Sequence, residues 1–396
     1  MREMNFYWFL INIVIAVLCG TLIPLIPKLT RKSLLFGIRI PLEQHASLEA
    51  KNLRKRYALI NITGASIILV LIIIQYVIFP DVTLVSILYF PLLFAAVQMA
   101  AFISNWKQAK KLKEERGWTV SGSVFADTKS SHSRGNLSEL PWIWYILSFV
   151  IIIATIIIAL IKYPGLPDKI SVHFGYHWQL NFGYNIQSNA WLDKTLLAVM
   201  MLPLINLVIM LIMWLAGAML VRAKLQMDKQ NPVLSFMQHC IYRKRMGHSL
   251  GALTLALTVM MTLIEFMSLY PDLNIPVWLF VVLLLVPVIA VIIVTVQSGQ
   301  GGCRINLKVT PSKIISDLNG QTTVVNNDDG CGDDKYWAVG MFYHNPNDPK
   351  YLVENRFSIN MGFNYSRLPV KIGVVVVLMV FVAIYVWVTV LLCSIT

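Results

Sequence analysis

The sequence predicts an all-α transmembrane bundle of about eight helices, with a small β-rich cytoplasmic module before the last helix. Three observations lead there. Of the 396 residues, 57% are hydrophobic and 13% charged, too apolar a balance for a soluble chain of this length. Apolar runs recur at 6–26, 59–79, 82–103, 142–161, 196–220, 250–269, 277–296 and 370–392. Each is close to the roughly 20 helical residues that cross about 30 Å of hydrocarbon. Lys and Arg crowd into every second gap, with 8 in 28–56, 7 in 106–138, 6 in 222–248 and 8 in 299–371, together 29 of the 33. Positive charge is retained on the cytoplasmic side, so these four segments belong inside and both termini outside the membrane. The net charge of +13 is accounted for by this bias, and the lipid bilayer, not nucleic acid, is the partner it implies.

In chain order, 1–298 forms a membrane domain of seven spans. The first span follows a single Arg2 and has no small-residue cleavage site after it, so it reads as a retained anchor. Leu42, Ala46, Ala50 and Leu53 recur at helical spacing before a basic end, which predicts either an interfacial helix or a helical connector at 42–56. Pro80 and Asp81 alone join the second and third spans as a tight hairpin. The Ser/Thr/Gly-rich stretch 119–138 reads as a flexible cytoplasmic loop. An extracytoplasmic loop at 162–195 opens with Pro164 and Pro167, which fix the chain as it leaves the membrane, and alternates like a short strand over 170–174. The module at 299–369 begins with Gly299-Gln300-Gly301-Gly302, read as a flexible exit. It continues with alternation over 304–309, short apolar runs near Ile314 and Val324, and turn residues at 326–330. The eighth span and the C-terminus occupy 370–396.

Residues with chemical potential are few. Glu265 is the one carboxylate well inside a span, roughly a turn from its outer end. It is either a proton or cation site near amides such as Asn61, Gln75, Gln98 or Asn206, or a side chain that reaches the interface. His173 and His177 are four apart, but Gly175 and the preceding prolines oppose the helix a shared metal would need. His173 suits a protonation switch better. Cys303 and Cys331 share the cytoplasmic module and are expected to be reduced thiols. Neither lies in a metal-binding pattern, and no phosphate loop, nucleophile elbow or dinucleotide fingerprint occurs. No enzyme activity, metal or cofactor is therefore expected.

Tyr163-Pro164-x-Leu166-Pro167-x-x-Ile170-x-Val172-His173-Phe174 resembles the motif of a bacterial membrane family of unknown function that includes the immunity proteins of the sporulation-delaying toxin system. A second stretch resembles a short cytoplasmic module that accompanies that motif in Firmicute-type multispan proteins. It runs Asp334-x-x-Trp337-x-x-Gly340-x-Phe342-Tyr343-x-Asn345-Pro346-x-Asp348-Pro349, with Val353, Arg356, Gly362 and Asn364 following. Trp337, Phe342 and Tyr343 would supply its small core, and Asn345 to Pro349 its turn. The resemblance implies a polytopic, non-enzymatic protein that confers immunity to, or senses, a membrane-active peptide outside and signals to a regulator inside. Pro164, Leu166, Pro167, His173 and Phe174 would form the sensing loop. A small-solute or peptide transporter is the alternative and an intramembrane enzyme the third reading.

Overall fold

The structure is a computed structural model that describes residues 2–80, 83–120, 124–127, 140–178, 184–226, 232–270, 273, 275–307, 322–325, 333–357 and 361–395. Eight long helices occur among these residues: α1 (Arg2–Leu22), α2 (Leu48–Ile78), α3 (Thr83–Glu115), α4 (Trp142–Lys162), α5 (Leu196–Arg222), α6 (Pro232–Leu269), α7 (Val277–Ser298) and α8 (Leu368–Ile395). Among the described residues seven are long and apolar enough to cross a membrane, and α8 adds a shorter apolar stretch at Leu368–Ala383. The chain is a polytopic membrane protein. Among the described residues there are also five two-stranded antiparallel sheets: β1 (Leu34–Leu35) with β2 (Ile38–Arg39), β3 (Val124–Asp127) with β6 (Thr322–Val325), β4 (Lys169–Trp178) with β5 (Tyr184–Asp193), β7 (Trp337–Ala338) with β8 (Phe342–Tyr343), and β9 (Leu352–Glu354) with β10 (Met361–Phe363).

Several helices outrun their apolar stretches. The 31 residues of α2 span about 46 Å and the 38 of α6 about 57 Å at about 1.5 Å per residue, well beyond the hydrocarbon thickness. The region 42–56 is accordingly no separate interfacial helix. A short 3-10 turn covers Leu42–Ala46, and the Ser47 side chain then caps α2 by accepting from the Ala50 amide at 3.2 Å. Ala50 and Leu53 are buried in the core.

The chain divides into two compact units, 1–128 with 223–238 and 299–396, and 129–222 with 239–298. In the first, α1, α2 and α3 enclose Ala16, Ala65, Ile68, Ile72, Phe90 and Phe94. The Asn12 side chain donates to Ser86 Oγ at 2.9 Å, interhelical glue of the kind membrane bundles use. A second cluster at the polar end joins the β1–β2 hairpin to α2, α3 and Phe357. In the second unit α4, α5 and the rest of α6 pack together. Thr155 and Thr262 hydroxyls meet at 3.3 Å, and the Asn206 amide donates to the Thr258 carbonyl at 3.2 Å.

Two loop expectations are corrected. Gly299 to Gly302 is no flexible exit. Gln300 is 1% exposed, accepts from the Arg31 amide at 3.2 Å and donates to the Asn355 carbonyl, so the segment is a buried tie. Within 119–138, residues 124–127 are a strand paired to β6, while 121–123 and 128–138 lie outside the described residues. No strand forms at 304–307; 308–321, including Ile314, and 326–332, including Cys331, also lie outside them.

Candidate functional site

The best-defined polar constellation is built at one end of the first unit, and it starts with two tight turns. β1 and β2 are joined by Phe36 and Gly37, both at positive φ (48° and 81°), the geometry of a two-residue primed hairpin turn. β7 and β8 are joined through Val339 and Gly340, again both positive (52° and 71°). The two turn tips pack on each other so closely that a Cβ on Gly37 would lie 2.1 Å from the Gly340 carbonyl oxygen. Phe36 is driven into its unfavourable backbone region by packing. Its ring lies 5.4 Å from Tyr57 and 5.6 Å from Phe357, inside the cluster that α2 and α3 build.

Those turns bring charges together. Arg356, fully buried, donates to the Gly37 carbonyl at 2.9 Å and to Asp334 Oδ1 at 2.5 Å, and lies 4.8 Å over the Trp337 ring. Asp334 also accepts from Lys113 Nζ at 2.6 Å and from the Arg39 amide at 3.3 Å. Burial alone would raise the Asp334 carboxyl; the Arg356 and Lys113 charges and hydrogen bonds outweigh it and hold the group below the usual aspartate range. A second pair, Arg31 with Glu354 at 2.5 Å, has side chains 6% and 3% exposed. The segment after α5 runs beside β9 and delivers Gln226, whose amide also donates to Glu354, and Lys224, which meets Asp348 Oδ2 at 2.7 Å. Burial opposes the Asp348 carboxylate too, and the Lys224 hydrogen bond leads the contributions that lower it.

The structure therefore unites most of the predicted module residues. Trp337 and Tyr343 form its small core with Val353, their rings 5.0 Å apart. Tyr343 donates to Asp348 at 2.9 Å, Asn345 donates to Tyr343 at 3.1 Å, and Asn364 closes the turn by donating to the Asn345 and Asp348 carbonyls. Phe342 is corrected: it is 39% exposed and meets Tyr365 edge-on outside that core. Pro349 is exposed on the turn. Sequence reasoning missed Arg31, Lys113, Lys224, Gln226, Gln300 and Glu354. Their partners lie as far as 323 positions away, and no local pattern marks them.

In the second unit the motif at 163–174 begins a ribbon. Pro164 and Pro167 are exposed, whereas Leu166 is buried with Ala159, Ile170, Val199 and Leu269. Lys194 ties the motif down by donating to the Pro164 and Leu166 carbonyls at 3.1 and 2.8 Å. His173 and Phe174 lie in β4, and the register shifts on both sides of His173 mark a bulge. Within the bundle, Glu265 is 3% exposed and enclosed by protein, so it does not reach out to the interface. It continues a face of α6 that carries Thr254, Thr258 and Thr262, all buried. Asn206 is the one of the four amides in the same unit. Among the described residues no group of three or more metal-ligating side chains occurs. Comparison with family models, with curated proteins and with solved structures finds no match to this chain.

Proposed function

We propose that the protein is a non-enzymatic sensor of the immunity type in the bacterial plasma membrane, which takes an extended membrane-active peptide outside and reports it through the ion-paired cytoplasmic head. The observation that carries this reading is the β4–β5 ribbon. Its strands have ten residues each and pair only with one another among the described residues. Two-stranded ribbons are marginal alone, and each open edge offers backbone donors and acceptors to an added strand. The head supplies a candidate surface for an internal regulator. The test is to express the chain in a sensitive bacterium, challenge it with cationic membrane-active peptides, and compare it with a variant in which 170–192 is replaced by a short Gly-Ser turn. Protection that vanishes with the ribbon while membrane abundance is kept supports the reading. Equal protection by both chains refutes it.

A second reading, ion-coupled transport, is favoured by the polar file of Thr155, Asn206, Thr258, Thr262 and Glu265, because intramembrane polar groups mark ion and proton routes. Proteoliposomes with an imposed pH gradient separate the two: proton flux that is lost in Glu265→Gln selects transport, and its absence in the intact chain leaves sensing.

A further inference from the structure

The first unit holds a cavity of about 150 Å³ whose polar wall is Arg31, Lys32, Ser235 and Gln238 and whose apolar wall includes Leu42 and Leu234. Among the described residues none that lines it is acidic. Two chain exits set its depth: Arg31 follows the last helical turn after α1, ending at Leu29, and Gly301, which also lines the cavity, follows Ser298 at the end of α7 by three residues. Leu234 and Ser235 belong to the first turn of α6, where the helix dipole presents its positive end. Arg31 is fixed by Glu354, while the Lys32 side chain is exposed at the rim. Burial raises the Cys303 thiol at the cavity wall, so it stays protonated at neutral pH and adds no negative charge.

We infer that this cavity binds a phosphate group at the level of the cytoplasmic membrane boundary, with Lys32 as the adaptable cation, Gln238 and Ser235 as polar contacts and the two leucines against the apolar part of a glycerolipid. The site is independent of the sensing reading and would persist if that reading failed. Phosphate chemistry is shared by an anionic lipid headgroup and a free anion, and the experiment distinguishes them.

The full chain in neutral detergent is melted while dioleoyl phosphatidylglycerol, dioleoyl phosphatidylcholine or inorganic phosphate is titrated in, and the concentration giving half the stabilisation is read. Phosphatidylglycerol is expected to act at lower concentration than phosphatidylcholine. Lys32→Gln should raise its half-saturating concentration about fivefold, the effect of one cation near an anionic surface, and Lys32→Arg should restore it. Lys51→Glu, at another exposed cation, should leave it unchanged. Stabilisation by inorganic phosphate with the same Lys32 dependence assigns the site to a free anion, and stabilisation by the lipid alone assigns it to the headgroup; both support the inference. Equal action of the two lipids without any effect of phosphate, or a Lys32→Gln chain indistinguishable from the parent, overturns it. Because Lys32 is exposed, the melting temperature of each variant without ligand checks that the fold is intact.

Discussion

Replacing Arg356 by Ala tests whether the head is held by its buried charges. The substitution removes a guanidinium with no exposed side-chain area, and with it contacts to the Asp334 carboxylate, the Gly37 carbonyl and the Trp337 face. A charge-assisted hydrogen bond contributes about 1.5–3 kcal/mol and a neutral one about 1 kcal/mol, and a desolvated cation over an aromatic ring about 1–2 kcal/mol. Removing one partner of a buried pair costs about 3–5 kcal/mol in measured cases. Asp334 keeps Lys113 at 2.6 Å and is 24% exposed, so its charge is not stranded. The lower part of that range, about 3 kcal/mol, is therefore expected. The comparison is Arg116→Ala, which breaks the pair to Glu49 whose side chains are 58% and 41% exposed and should cost under about 1 kcal/mol. Unfolding of the full chain in detergent, followed by tryptophan fluorescence, reads both. A double-mutant cycle with Asp334→Asn isolates the pair. If Arg356→Ala costs no more than Arg116→Ala, the buried network does not hold the head and the reasoning fails.

The turn contact gives a sharper steric outcome. Gly37→Ala or Gly340→Ala should sharply lower the amount of folded protein, because a methyl at Gly340 would meet the Trp106 ring at 2.7 Å and the Phe36 carbonyl at 2.8 Å, whereas Gly117→Ala, with a similar φ and open space, should lose only about 1 kcal/mol, as paired melts would show. His45 is held at about 4, first by burial and then by the Arg54 charge, so below its ordinary value near 6.5 the unfolded chain takes up a proton that the folded chain does not. Stability is therefore expected to fall as pH drops from about 6.5 towards 4, and His45→Gln should flatten that window. The Asp334 contribution, whose folded carboxyl is lowered, stays complete above about 4 and is lost only below it; a pH series of melts separates the two groups, and an unaltered slope in His45→Gln would discard the first. In a chain stripped of its five native cysteines, a cysteine at Ser188 should react with an impermeant reagent in intact cells and one at Lys111 only after permeabilisation; the reverse pattern would invert the topology.

What was legible in the sequence follows from which forces are local. Twenty apolar residues in a row announce a span, because a helix in lipid satisfies its own backbone. The ends of α3 and α6 were not legible, because hydropathy stops where the hydrocarbon stops and the helix does not: Lys107 to Glu115 continue α3 as good helix formers in water. The ribbon was half visible. Residues 170–174 alternated, but the partner strand and the bulge at His173 depend on pairing. The head was least legible, since Phe36-Gly37 and Val339-Gly340 look like ordinary short stretches until each tip needs the other. Its charges were counted, but for a different purpose. Arg31, Lys113, Lys224 and Arg356 all entered the positive-inside tally, and the structure spends them on Glu354, Asp334 and Asp348. The tally therefore contains two physical classes. Cations such as Lys32 and Lys51 are exposed, while Arg31, Lys113, Lys224 and Arg356 are tied into ion pairs of the head. Neutralising an exposed cation such as Lys51 should leave melting unchanged; neutralising a paired one such as Arg356 should lower it, although the sequence counts the two alike.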